Sequence, residues 1–194
     1  MDADPSIVVG ILYPPAWYGS EEGFAAEVAA LEAVDPRIEV VVVTYEEPHD
    51  VRTARGAGDP DLPEPQAISP EDRSALSRIH VALAIDLPPD ITAIAPDLAW
   101  VQAVGAGTSH LQSVGLAGAG IRLTTNGGSN SVAIAEFALG RLLEARKRFR
   151  ELATAQHEHR WASLFGDQLS GQTLGLIGFG AINQAVATLS LIHI

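Results

Sequence analysis

The chain has 194 residues, 47% of them hydrophobic, which is enough to bury the core of one large domain or two small ones. Its formal net charge of -12 repels phosphate backbones, and its arginine cluster, 141–150, is better interpreted as a solvated helix face, so we expect no nucleic-acid partner. The absence of cysteine excludes disulfides, thiolate metal sites and a cysteine nucleophile. Because the first residues lack the charge of a signal peptide and no apolar stretch reaches the roughly 18 residues of a membrane span, we expect a cytoplasmic protein without membrane contact.

Strand and helix patterns alternate along the first 126 residues. Short apolar runs predict five strands, at 6–13, 38–44, 80–85, 98–104 and 121–124. Ser20 and Ser69 each stand before acidic residues and predict the start of a helix. The segment 46–70 contains five prolines and six acids, which predicts an exposed excursion without a core of its own. Strands alternating with helices predict a parallel, doubly wound sheet that binds ligands at the carboxyl ends of its strands.

The longest helical pattern runs from Asn130 or Ser131 to Gln156. Its apolar stripe is too long for one small domain to cover, so we expect it to pack on a partner element or subunit. A connector then leads to a sixth predicted strand, 172–177.

The residues 178–183, GFGAIN, follow this apolar strand and open an apolar helix, which is the context of a nucleotide-binding turn. The first glycine permits a tight turn, the second lets a pyrophosphate approach the backbone, and the helix N-terminus attracts the anion. An ordinary strand-to-helix turn is the alternative. Asn183 stands where the pattern has a third glycine, and we expect its side chain to push the helix from the strand or to point into a gap.

Two other loops carry small and polar residues. The loop 105–109, GAGTS, follows the fourth predicted strand; its N–H groups suit an anion nest for a carboxylate, although a flexible turn is the simpler explanation. In the loop 124–131, TTNGGSNS, Asn130 either caps the long helix or lines a substrate cleft. No histidine spacing suits a metal ion, so no metal site is predicted.

Three segments, PDLAWVQAVGAGTSHL, IRLTTNGGSNSVAIAEFALGRLLEARKRF and WASLFGDQLSGQTLGLIGFGAINQAVA, together resemble the D-isomer-specific 2-hydroxyacid dehydrogenase family in order and spacing. The resemblance implies a flavodoxin-like doubly wound substrate domain over residues 1–126. It further implies the beginning of a Rossmann NAD(P)-binding domain, incomplete, over residues 127–194. The implied reaction is hydride transfer between NAD or NADP and a 2-hydroxy or 2-oxo acid.

The resemblance assigns site residues at matching positions. It implies that the substrate is bound by Ala106, Gly107, Thr108 and Asn130. It implies that the cofactor is bound by Gly178, Phe179, Gly180, Ala181 and Ile182. A homodimer would form through the helix from Ser131 to Ala155.

The family's catalytic Arg, Glu and acid/base His follow its glycine turn, so no catalytic residue is assigned here and all are expected downstream of Ile194. We therefore expect this chain alone to lack dehydrogenase activity. One alternative is a non-catalytic nucleotide-sensing or interaction module, like the co-repressors that resemble this family; another is a short flavodoxin-like binding domain. The tail TLSLIHI, 188–194, does not resemble the family, and we expect it to be a non-native end of a truncated gene.

Overall fold

The computed structural model describes residues 5–191 of the chain. The backbone divides into two compact units, Met1–Asn126 (unit 1) and Gly127–Ile194 (unit 2). Within the described residues, no helix is both long and apolar enough to cross a membrane.

Unit 1 is built on a parallel sheet of five strands. The strands are β1 (Ile7–Leu12), β2 (Ile38–Val42), β3 (Val81–Ala84), β4 (Trp100–Ala103) and β5 (Arg122–Thr124). Their spatial order is β2-β1-β3-β4-β5, which is the flavodoxin-like order, so the predicted doubly wound sheet is confirmed. In the centre, Val9 lies opposite Val40 on one side and Val81 on the other. A central strand covered on both faces needs the unbroken apolar run that β1 has.

Five α-helices and a 3₁₀ helix connect these strands. They are the 3₁₀ helix Pro15–Tyr18, α1 (Glu21–Glu32), α2 (His49–Ala57), α3 (Pro70–Leu76), α4 (Ile91–Ile94) and α5 (Ser109–Gln112). The predicted helix starts are confirmed: the Ser20 hydroxyl accepts the N–H of Gly23, and the Ser69 hydroxyl accepts that of Asp72, both at 3.0 Å.

The predicted exposed excursion over 46–70 is wrong in part: it contains α2, although this helix has no buried residue of its own. Glu47, which precedes this helix, is buried. Two arginines of α2 form ion pairs with buried carboxylates, which hold the helix against the rest of unit 1. The proline and acid content of a segment does not indicate pairs with residues far along the chain, which is why the pattern misled.

Unit 2 contains α6 (Ser131–Lys147), α7 (Phe149–His157) and α8 (Ala181–Leu191). The sequence predicts one continuous helix to Gln156, which includes the proposed dimer helix from Ser131 to Ala155. This prediction is wrong, because the helix is interrupted after Lys147. Arg148 is left-handed, with φ 58°, and its N–H donates to the carbonyl of Ala145, which ends α6 before α7 begins.

The predicted sixth strand, 172–177, is also wrong. No described strand pairs with it, and its last residue, Ile177, is fully exposed. A strand exists only through hydrogen bonds to a neighbour, so an apolar extended segment without one remains a coil. The helix α8 packs against α6 and continues through Leu191; residues 192–194 of the tail lie outside the described residues.

Candidate functional site

The glycine turn of unit 2 has the backbone geometry of an anion site. Gly178 has φ +81°, a conformation that glycine adopts without steric strain. No atom lies within 4 Å of a Cβ built on Gly178 or Gly180, so the backbone is open to a ligand. The helix α8 begins at Ala181, and its first N–H groups have no acceptor within the helix and carry the positive end of its dipole. The residues present therefore fit a pyrophosphate.

The loop before α6 lies beside this turn in the same unit. A Cβ built on Gly128, which has φ +95°, would stand 3.5 Å from the Cβ of Ala181. Asn130 occupies the N-cap of α6, but its side chain makes no capping hydrogen bond. The Ser131 hydroxyl donates instead to the carbonyl of Gly128, at 2.7 Å. The capping interpretation of Asn130 is therefore wrong; Gly128, two residues before it, is the residue that stands close to the start of α8.

The proposed substrate loop lies in unit 1, between β4 and α5. Ala106 and Gly107 are exposed, and Thr108 is half-buried. The predicted nest is not formed, because a nest alternates right-handed and left-handed residues and neither Gly105 nor Gly107 has a positive φ. The carbonyl of Gly105 accepts the N–H of Asn126 at 3.1 Å. The loop is thus an open turn at the carboxyl end of a strand.

Two buried carboxylates stand beside this edge of the sheet, each paired with an arginine of α2. Asp86 follows β3 and is 1% exposed; Arg52 donates from Nε to its Oδ1 at 2.8 Å. Arg55 donates from Nε to Oε2 of Glu47 at 2.9 Å. The N–H of Glu47 donates to Oδ2 of Asp86 at 3.0 Å, which joins the two pairs. The hydrogen bonds to Asp86 and Glu47 raise the pKa of Arg52 and Arg55, so both guanidinium groups are charged.

This buried ion cluster (Glu47, Arg52, Arg55 and Asp86) adjoins the segment after the substrate loop, because α2 packs against α5. A Cβ built on Gly56 of α2 would stand 2.7 Å from Ser109 Oγ, so a side chain at this position would require that hydroxyl to rotate away. His110 of α5 donates from Nε2 to the carbonyl of Ile85 at 2.7 Å, which indicates a structural role. Among residues 5–191, no group of His, Asp and Glu side chains has the arrangement of a metal site.

Sequence reasoning missed the buried ion cluster. Two signals pointed to it: Arg52 and Arg55 are three residues apart and so share a helix face, and Asp86 directly follows a buried strand. It also missed the role of the Asn183 side chain, which makes hydrogen bonds and so does not point into a gap. Its amide donates to two carbonyls of the preceding turn.

Comparison with known proteins bears on the same part of the chain. Residues 139–191 match the family model described as D-isomer specific 2-hydroxyacid dehydrogenase, NAD binding domain. A hydroxypyruvate reductase of Thermotoga maritima is 30% identical over 113 residues, which cover 57% of this chain and 37% of that protein.

Solved structures resemble the chain over nearly all of its length. An NAD-dependent formate dehydrogenase from Staphylococcus aureus, in complex with NAD, has a TM-score of 0.59 at 20% identity and covers 95% of this chain. An NADPH-dependent glyoxylate/hydroxypyruvate reductase from Sinorhizobium meliloti, in complex with NADP and sulfate, has a TM-score of 0.59 at 20% identity and covers 97%. The match covers 53% and 50% of those chains, so this chain spans about half their length.

The family model falls on the second half of α6, α7, the glycine turn and α8, and so includes the turn whose backbone fits a pyrophosphate. Because the matched model is that of an NAD-binding domain, the predicted class of cofactor is confirmed. The solved relatives share the fold, and the curated relative is a reductase of a 2-oxo acid by its name. The chain therefore resembles the D-isomer-specific 2-hydroxyacid dehydrogenases, in sequence over residues 139–191 and in fold over nearly all of its length.

Proposed function

We propose that the protein transfers hydride between NAD or NADP and a 2-hydroxy or 2-oxo acid. In this proposal the chain supplies the substrate loop of unit 1 and the first phosphate-binding turn of the cofactor domain. The observation that carries it is the left-handed Gly178 directly before α8, inside the residues that match the NAD-binding family model. Since the chain spans about half of its solved relatives, the activity is proposed for the whole protein.

The cofactor side of the proposal assigns the pyrophosphate to the turn and the start of α8. The residues that would hold it are Gly178, Phe179, Gly180, Ala181 and Ile182. Their N–H groups and the helix dipole would offset its negative charge. The bound nicotinamide supplies or accepts the hydride.

The substrate side assigns the carboxylate of the 2-oxo acid to Ala106, Gly107 and Thr108. This is supported by their exposure at the carboxyl end of a parallel strand, where α/β sheets bind ligands. We expect their N–H groups to turn toward the carboxylate when it binds, because the loop is not yet a nest. Asn130 would contact the substrate as well, supported by its uncapped side chain and by the approach of Gly128, two residues before it, to the start of α8.

Binding of NADH by the 194-residue chain tests the cofactor turn. A Gly180→Leu variant fills the space that the pyrophosphate needs, so we expect it to lose NADH binding in a fluorescence titration. Gly175→Leu is the matched control, since Gly175 also stands in open space but lies before the turn. Equal NADH affinity in the wild type and the Gly180 variant would contradict the assignment.

We propose that this chain alone does not catalyse the reduction of a 2-oxo acid by NADH. No catalytic Arg, Glu or His is assigned in it, and a positioned acid/base contributes roughly 10² to 10⁴ in rate. Purified chain mixed with NADH and a panel of 2-oxo acids should show no steady loss of absorbance at 340 nm. Sustained turnover would show that the chain carries its own proton donor.

A homodimer through α6 is the proposed assembly. Val132, Ile134 and Phe137 of this helix are 56%, 44% and 68% exposed, which is unusual for large apolar side chains on one helix. We expect Phe137→Glu to halve the mass of the particle in sedimentation, while Glu136→Gln leaves it unchanged. A monomeric wild type would exclude the dimer. It would favour the second candidate function, a nucleotide-sensing module that binds another protein through α6.

A further inference from the structure

Two consecutive side chains at the start of α8 hold the carbonyl groups of the glycine turn. Asn183 donates from Nδ2 to the carbonyls of Ile177 and Gly178, each at 3.0 Å. Gln184 donates from Nε2 to the carbonyl of Phe179 at 2.9 Å. Three successive peptide groups are therefore bonded to the helix that follows them.

These bonds determine where the N–H groups of the turn point. A trans peptide is planar, so its N–H and C=O point in opposite directions and cannot turn independently. Holding the carbonyls of Ile177, Gly178 and Phe179 on the side of Asn183 and Gln184 directs the next three N–H groups to the opposite side. The N–H groups of the turn thus face away from the two side chains, as an anion requires.

We propose that Asn183 and Gln184 are positioning residues that keep the glycine turn ready for a pyrophosphate, and that Asn183 replaces the third glycine in this role. The inference rests on the proposed cofactor role of the turn. Glycine at this position supports close packing of the helix on the strand. Here the preceding segment, 172–177, is not in a sheet, and the amide of Asn183 makes a bond that glycine does not have.

The proposal predicts that glycine at position 183, although it matches the family pattern, weakens binding of the pyrophosphate. Asn183→Gly removes two hydrogen bonds and frees the backbone of the first helical turn. We expect the dissociation constant for ADP-ribose to rise about tenfold, since each of the two lost hydrogen bonds contributes roughly threefold. Gln184→Met, which keeps the length of the side chain but not its donor, should raise the constant about threefold.

The experiment measures ADP-ribose and adenosine binding to the 194-residue chain by calorimetry, for the wild type and both variants. Because adenosine lacks the pyrophosphate, its affinity should not change. Hydrogen exchange of the amides 178–182 should quicken in both variants without ligand. Thr188→Ala is the matched control: it also removes a bond from a side chain to a carbonyl of α8, but away from the turn.

The outcomes separate this inference from the proposed function. If the wild type binds ADP-ribose and Asn183→Gly binds it as tightly, with unchanged exchange, the positioning role is overturned and the cofactor turn stands. If the wild type binds no ADP-ribose at millimolar concentration, the cofactor turn and the positioning role both fall. Circular dichroism of α8 distinguishes a lost bond from a lost helix, and equal loss in Thr188→Ala would also overturn the inference.

Discussion

Unit 1 and unit 2 differ in what their apolar residues contact. Nearly all of the buried core among the described residues lies in unit 1, and unit 2 contributes only Ala135, Ala155 and Val186. Most of the exposed large apolar side chains lie in unit 2. Both units have the same local order of apolar segment, turn and helix. The difference teaches that this order builds a strand only where a parallel neighbour is present to pair with it.

The two units also differ in how deeply their charged side chains are buried. Unit 1 buries Glu47 and Asp86 and pairs both with arginines, so its stability depends on those pairs being complete. The ion pairs of unit 2, such as Arg148 with Glu151, lie at the surface and contribute little. Breaking one bond should therefore have unequal effects in the two units.

The largest effect is expected when the buried ion cluster loses one charge. Arg52→Met removes the guanidinium partner of Asp86, which is 1% exposed, and this should lower the free energy of unfolding by about 4 kcal/mol. Urea unfolding followed by circular dichroism measures it. The double variant Arg52→Met/Asp86→Leu should recover much of the loss, because the remaining buried charges, Glu47 and Arg55, still pair with each other. Arg78→Met, from an exposed pair with Glu39, is the control and should change stability by less than about 0.5 kcal/mol.

A smaller loss of stability is expected at one of two isoleucines that each lie near the end of an apolar segment. Ile11 of β1 is completely buried, whereas Ile177 before the glycine turn is fully exposed. Ile11→Ala should lower the free energy of unfolding by about 3 kcal/mol, because it leaves a cavity in the core. Ile177→Ala should leave it unchanged. Similar losses in urea unfolding for the two variants would mean that segment 172–177 is packed in solution, against the structure.

Two residues at helix N-caps provide a third comparison. The Ser69 hydroxyl accepts the N–H of Asp72, so Ser69→Ala should destabilise unit 1 by about 1 kcal/mol in urea unfolding. Asn130 makes no such bond, so Asn130→Ala should leave stability unchanged. If the proposed role of Asn130 is right, its variant instead weakens binding of a 2-oxo acid to the whole protein. A loss of stability in Asn130→Ala would restore the capping interpretation.

The smallest effect is the loss of stability at high pH. It arises in unit 1, which contains all three tyrosines. Burial raises the pKa of Tyr13 and Tyr45 above the ordinary value of 10.0. The folded state then favours the protonated phenols, so this stability is fully present below about pH 10 and is lost as the pH rises through the raised pKa. At pH 11, Tyr13 and Tyr45 should each lower the free energy of unfolding by about 1 kcal/mol. Tyr13→Phe should make the decline between pH 9 and 11 shallower; an unchanged slope would contradict it.

Local features of the chain were predictable from sequence. The caps at Ser20 and Ser69 depend on residues three positions away, and the β-branched runs identify the strands without knowledge of their neighbours. The candidate turn 178–182 was found in the same way, because glycines between an apolar segment and a helix are a local pattern. The helix α2 was missed because its ion partners, Glu47 and Asp86, are recognisable only once the sheet brings them together.

By itself, the sequence determined the five strands of unit 1, the helix starts at Ser20 and Ser69, the placement of the glycine turn and the family resemblance, since each depends on residues close together in the chain. Only the tertiary structure decided that residues 172–177 form no strand, that Arg148 divides the long helix, and that Asn183 bonds the turn. The physical reason is the same in each case. A hydrogen bond or an ion pair needs a partner at a definite distance and direction, and a linear pattern specifies the donor without specifying which acceptor it meets.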